Sequence, residues 1–219
     1  MDPNAVLNRV MRLARLDTSV FDEVRDDEKE LIPAIVVMAV SALIAGIGAW
    51  LWLVFDKPDG AKVDFGKVLV NILVMGTVFT VVLWAVWAAV TYVVLVQFYK
   101  EQADLQMLLR TMGYAAFPLS LSLLSLIPAL GFGFAVAAIV IWFVMSTYAV
   151  QSTTQASSDR VVMSNAVGFL VFAVVMALIA RSTGMTTGVF ISERHTQEEG
   201  KYYEADLGNI PNNLKDLFK

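Results

Sequence analysis

The sequence contains no cysteine and a single histidine. The absence of cysteine excludes disulfide bonds and thiolate metal sites. The one histidine, His195, stands among Glu193, Arg194 and Thr196, whereas a metal or catalytic centre needs several convergent groups. We therefore predict no catalytic residue, no metal site, no bound cofactor and no enzymatic activity. The net charge of −4 includes no concentrated basic patch, so nucleic acid is not an expected partner.

Charged residues make up only 16% of the chain, and four long tracts lack them altogether. These tracts are Leu31–Phe55, Val68–Tyr99, Thr111–Ser158 and Val161–Ala180. The hydrocarbon core of a bilayer takes about 20 apolar residues as an α-helix, so each tract is long enough to cross it. The ionisable groups that pumps and ion-coupled transporters use inside the membrane are missing from the tracts. The lipid bilayer is therefore the first predicted partner.

The third tract is too long for one membrane helix and must be broken. The segment Ile127–Gly133 offers the break, because Pro128 removes a backbone donor while Gly131 and Gly133 relax the turn. The sequence thus predicts an all-α, polytopic membrane helix bundle with five transmembrane helices, at about 31–55, 68–98, 112–127, 130–150 and 161–180. The alternative is a re-entrant loop in this tract.

The spans divide the chain into three regions. Residues 1–30 form a cytoplasmic arm, residues 31–180 the five-span membrane domain, and residues 181–219 a polar extracytoplasmic tail. Five spans place the two ends on opposite sides, and the excess of lysine and arginine on the side of the arm predicts a cytoplasmic N-terminus and a C-terminus outside. The tail is either a site that recruits a partner or a flexible, lightly packed end.

The arm contains an amphipathic stretch at Asn4–Leu16. Its apolar residues recur at helical spacing, with three arginines interleaved among them: Val6, Leu7, Val10, Met11 and Ala14, and Arg9, Arg12 and Arg15. One interpretation is a helix on anionic lipid headgroups, with the three arginines as membrane-surface binding residues. The other is a helix that packs on the protein's own cytoplasmic loops. The acidic segment that follows, Phe21–Glu30, is expected to be a solvated helix leading into the first span.

Small residues at four-residue spacing mark candidate helix-packing positions. These positions are Ala42 with Gly46 and Ala45 with Ala49, and the two glycines of the break, Gly131 and Gly133, are further candidates for helix packing. Such rows face a neighbouring helix of the same chain or a second copy of the chain, and the spacing does not choose between them. Asn165 and Gln97 lie near span ends and are expected to bond within the bundle; a path for a neutral solute would use the same groups.

One segment carries a family resemblance. The run Leu109–Pro118 is similar to the G-Y-x-x-x-P entry to the third span of the Yip1 family, with Gly113, Tyr114 and Pro118 as the matching residues. The lead-in at Phe21–Asp27 and the break at Ile127–Gly133 also resemble that family, and the resemblance covers about residues 21–180. It implies five spans and a cytoplasmic N-terminus. In eukaryotes the family acts in vesicle traffic with lipidated small GTPases, but the D-L-Y-G-P element of those members is absent here.

These observations favour a non-enzymatic membrane scaffold or adaptor of Yip1 type. It would bind partner proteins in the bilayer and organise the membrane through its arm. Two alternatives remain open: an auxiliary subunit of a larger membrane complex, and a transporter or channel for a neutral or lipid-like solute. The short arm looks more like that of a prokaryotic member, which predicts a multi-pass protein of a prokaryotic cell membrane.

Overall fold

Apolar residues without charge fold as helices in lipid, because only a helix satisfies its own backbone amides there. The computed structural model describes residues 2–55, 66, 69–127 and 131–183, and this part of the chain is helical and contains no strand. The all-α prediction is confirmed. Residues 128–130 of the predicted break and residues 184–219 of the tail, with His195, lie outside the described residues.

Two short helices precede the first span. Helix α1 is Pro3–Ala14 and helix α2 is Val20–Asp26. Asp2 caps α1 by accepting a hydrogen bond from the Asn4 amide at 2.9 Å, and Pro3 begins the helix where no backbone donor is needed. Leu16 has a φ of 63°, in the left-handed region, and it reverses the chain between the two helices.

Five helices of the described residues are long and apolar enough to cross a membrane, which confirms the predicted number of spans. They are Glu28–Leu51, Leu73–Phe98, Leu105–Ser125, Gly133–Ser152 and Ser158–Ile179. The first is mainly helix α3, Leu31–Phe55, preceded by a 3-10 turn at Glu28–Glu30. The second combines π-helical turns at Val70–Met75 and Val94–Phe98 with helix α4, Gly76–Val93. The last two are helix α6, Gly131–Ser152, and helix α7, Ser158–Thr183.

The third span is not a continuous α-helix. Helix α5, Leu105–Tyr114, is followed by a 3-10 segment at Phe117–Leu126. A 3-10 helix rises about 2.0 Å per residue against 1.5 Å in an α-helix, so this segment crosses more of the bilayer with few residues. Pro118 lies in the first turn of the 3-10 segment, where its missing amide costs little. The residue starts a new helix type rather than kinking an existing helix.

Aromatic ring contacts and the hydrogen bonds of one buried asparagine connect the helices at the centre of the bundle. The rings of Trp87 and Trp142 meet edge to face at 4.9 Å, and Phe169 and Phe172 surround them. Buried Asn165 joins three helices: its Oδ1 accepts from Trp87 Nε1 at 2.9 Å, and its Nδ2 donates to Thr147 Oγ1 at 2.9 Å. In lipid such bonds satisfy side chains that would otherwise have no partner.

Candidate functional site

Glu30, at the mouth of the first span, is the centre of a buried polar junction. Only 8% of the residue is exposed. One carboxylate oxygen accepts a hydrogen bond from Arg9 of α1 at 2.6 Å, and the other accepts from the hydroxyl of Tyr114 at the end of α5, also at 2.6 Å. We call Arg9, Glu30 and Tyr114 the docking junction. It joins helix α1 and the third span to the start of the first span.

Gly113 brings Tyr114 within reach of Glu30. A Cβ added at Gly113 would lie 2.7 Å from both the Cβ and the carbonyl oxygen of Ala34, so the backbones of α5 and α3 are in direct contact there. Ala34 lies one helical turn after Glu30, and this contact therefore sets Tyr114 beside the Glu30 carboxylate. Gly113 and Tyr114 thus take part in one contact between the first and third spans.

A second, more exposed network joins helix α1 to the turn that follows it and to helix α2. Arg12 donates to Asp17 at 2.8 Å, to Glu23 at 2.7 Å and to the Ser19 hydroxyl at 2.9 Å. Hydrogen bonds from Ser19 and Arg12 hold the pKa of the Asp17 carboxyl below its usual range. The docking junction is the more deeply buried of the two networks.

The arm helix buries one apolar face and exposes another. Val6 and Leu13 are buried against the protein. Leu7 and Met11, one turn apart on the opposite face, are 59% and 49% exposed, and Leu16 beyond the helix is 74% exposed. The two apolar faces explain why the sequence alone favoured both lipid and protein as the surface beneath this helix.

The three predicted arginines have different surroundings. Arg9 and Arg12 make ion pairs with acids of this chain, Arg9 with Glu30 and Arg12 with Asp17 and Glu23. Arg15 is exposed, and among the described residues its side chain has no hydrogen bond or ion pair. The prediction that these residues bind a membrane surface stays a prediction, with Arg15 as the cation that is not already occupied.

The acidic lead-in to the first span is solvated on one face only and packs its other face on the protein, which corrects the expectation of a solvated helix for Phe21–Glu30. Val20, Phe21 and Val24 are buried on one face of α2. Glu30, the last residue of the acidic segment, is also buried. Arg25 of α2 also donates to the carbonyl oxygen of Ser152, at the end of the fourth span, at 2.6 Å. The apolar spacing of α2 is a signal that sequence reasoning passed over, because the surrounding acids suggested a solvated surface.

The predicted helix-packing residues also differ from one another. The small residues of α3 are buried: Ala42, Gly46, Ala45 and Ala49. An added Cβ at Gly131 would meet the backbone of Ser125, so this glycine allows a close approach. At Gly133 the same Cβ would have no atom within 4 Å, so Gly133 provides no close packing within the described chain. Sequence reasoning missed Gly48, where a Cβ would lie 2.6 Å from the Cα of Leu123.

The two polar residues predicted near span ends differ in burial. Asn165 is buried and bonded within the bundle, as expected, whereas Gln97 is exposed. Among the described residues no cluster of histidine, aspartate and glutamate could hold a metal ion. Within that part of the chain, the Arg9, Glu30 and Tyr114 junction is the most deeply buried set of ionisable groups that contact one another.

Comparison with known proteins bears on the same segments. Residues 17–180 match the Yip1 domain, a range that contains Glu30, Gly113, Tyr114 and all five spans. Helix α1 with Arg9 precedes the matched range. No curated protein and no solved structure matches the chain. Because the matched range covers most of its length, the chain is a multi-pass membrane protein that belongs to the Yip1 family.

Proposed function

We propose that this protein is a non-enzymatic membrane scaffold whose N-terminal arm organises lipid and partner proteins on the cytoplasmic side. The observation that carries the proposal is the docking junction. It fixes an amphipathic helix at the mouth of the first span by way of Arg9 and Glu30. A helix held there lies at headgroup level, since the first span begins at Glu28.

The exposed face of the fixed helix has the chemistry of a lipid-facing surface. Leu7 and Met11 are exposed, and Arg15, one turn after Met11, has no ionic partner among the residues that the structure describes. Apolar side chains enter the acyl boundary while an arginine remains at the phosphates, which is how interfacial helices bind. In this proposal Arg9 holds helix α1 to Glu30 at the start of the first span, and Arg12 holds it to the turn that follows and to α2. Leu7, Met11 and Arg15 contact the membrane.

The test is the depth of the arm in the bilayer. The chain has no cysteine, so single cysteines at Leu7 or Met11 can carry a fluorophore in full-length protein reconstituted into nanodiscs. We expect lipids brominated on their acyl chains to quench the label at both positions. A label at Asp22, an exposed residue of α2, is the matched control and should not be quenched. Equal, weak quenching at Leu7, Met11 and Asp22 would contradict the proposal.

A further inference from the structure

A polar cleft of about 580 Å³ lies where the second and fourth spans end. Its wall includes Arg25 of α2, Lys100 and Gln102 after the second span, and Gln155 after the fourth. The apolar side chain of Met107 of α5 also lines it. The cleft is thus built from segments far apart in sequence, and no function proposed above uses it.

Three charged residues line the cleft, and two of them, Arg25 and Glu101, have ion-pair partners. Arg25 makes ion pairs with Asp22 at 2.9 Å and Asp26 at 2.7 Å. Glu101 is neutralised by Arg160. Lys100 also lines the cleft, and among the described residues its side chain has neither a hydrogen bond nor an ion pair. In the described part of the chain, Lys100 is therefore the cation of the cleft wall that has no acidic partner of its own.

The backbone at Lys100 is unusual. Its φ is 58°, a left-handed conformation that a residue with a side chain adopts at a cost in free energy. A glycine there would avoid that cost, yet the position holds a lysine. Strained backbone tends to be retained where it places a functional group. The lysine lies two residues after the π-helical turn Val94–Phe98, and such turns also concentrate at functional sites.

The depth of the cleft in the bilayer follows from its neighbours. Phe98, the last residue of the second span, is 78% exposed. Tyr99 comes next, with the guanidinium of Arg160 5.8 Å from the centre of its ring. An exposed phenylalanine followed by a tyrosine and charged residues is typical of the headgroup level. Lys100 therefore lies at the depth of lipid phosphates.

We propose that this cleft binds the phosphate group of a membrane phospholipid. The ammonium group of Lys100 pairs with the single negative charge of a phosphodiester, and the carboxamides of Gln102 and Gln155, which also line the cleft, supply neutral donors. Basic pockets between membrane helices bind headgroups in this way. A free phosphate ester shares this chemistry, but it lacks acyl chains to lie along the second span.

Native mass spectrometry of the full chain in detergent tests the site. We expect phosphatidylglycerol to remain bound, and Lys100→Ala to weaken its binding on the order of tenfold, as the loss of one charge-assisted bond implies. Lys100→Arg should retain binding. Lys100→Gly should lose binding while its Tm equals or exceeds that of the wild type, because glycine removes the backbone strain. Lys29→Ala, an exposed lysine on another segment, is the matched control and should bind normally.

Two probes separate the sources of the phosphate. Diacylglycerol, which has the acyl chains without the phosphate, should not compete with phosphatidylglycerol, and glycerol phosphate should compete only weakly. If glycerol phosphate binds as tightly as the lipid, a soluble ligand replaces the phospholipid and the proposal is overturned. It is also overturned if wild type and Lys100→Ala retain phosphatidylglycerol equally at matched Tm.

Discussion

Replacing Gly113 by leucine is expected to lower the free energy of unfolding by about 3 kcal/mol, the upper part of the range for overpacked sites. Even a Cβ at this position would lie 2.7 Å from the Ala34 backbone oxygen, and backbone cannot swing aside as a side chain does. Helix α5 must then move away from α3, which also withdraws Tyr114 from Glu30. Thermal unfolding in detergent, followed by tryptophan fluorescence, measures the loss.

Gly133→Leu is the matched control for this substitution. A Cβ at Gly133 would meet nothing within 4 Å, so the same change should leave the Tm close to that of the wild type. Gly113→Ala should fall between the wild type and Gly113→Leu. If Gly113→Leu were as stable as Gly133→Leu, the direct contact between the first and third spans would be wrong.

Removing the Glu30 carboxylate is expected to release the arm. Glu30→Ala removes the partner of the Tyr114 hydroxyl and the closer partner of the Arg9 guanidinium in a largely buried site, and leaves Arg9 with its longer ion pair to Glu23 at 3.8 Å. Breaking a buried pair from one side costs about 3–5 kcal/mol. The side chain of Arg9 is 20% exposed, so we expect the lower end, about 3 kcal/mol. Amide hydrogen exchange in α1 should then accelerate on the order of a hundredfold.

Two variants of the same region set the scale for this prediction. Tyr114→Phe removes one hydrogen bond to the Glu30 carboxylate and should cost about 2 kcal/mol, leaving α1 docked through Arg9. Arg12→Ala breaks only exposed pairs and should change exchange in α1 by less than about fivefold. Exchange in Glu30→Ala that matched exchange in Arg12→Ala would show that the arm is not held by the docking junction.

The number of membrane spans was predictable because it depends on two properties that sequence displays directly. Charge is costly in hydrocarbon, and a crossing needs a minimum length, so uncharged tracts reveal the crossings. Helix α3 illustrates this: Leu31–Phe55 lies directly between Glu30 and Asp56. The division of the third tract into two spans likewise followed from its length.

The helix type of the third span was not predictable on the same grounds. The residues of the 3-10 segment Phe117–Leu126 have the same apolar character as those of an α-helix, and what differs is the rise per residue. Pro118 signalled a change of conformation but not its nature. The shortness of the predicted third span was the related clue, since few residues must cross the same thickness.

The candidate site depended on contacts between distant segments. Glu30 stands among acids in the sequence, a pattern typical of a solvated surface. Its burial requires α1 to fold back beside it, and the reversal occurs at Leu16, a non-glycine residue in a left-handed conformation that no local pattern indicates. The Gly113-Tyr114 pair was recognisable from the sequence, but Glu30 and Arg9 as its partners were not.

Labelling of single cysteines from each side of the membrane tests the five-span architecture most directly. The native chain has no cysteine, so Gly66→Cys, between the first and second spans, and Ser157→Cys, between the fourth and fifth, each supply one thiol. With five spans and a cytoplasmic arm, an impermeant maleimide added to intact cells labels Gly66→Cys, and it labels Ser157→Cys only after the membrane is permeabilised. Labelling of both positions in intact cells, or of neither, would contradict the architecture.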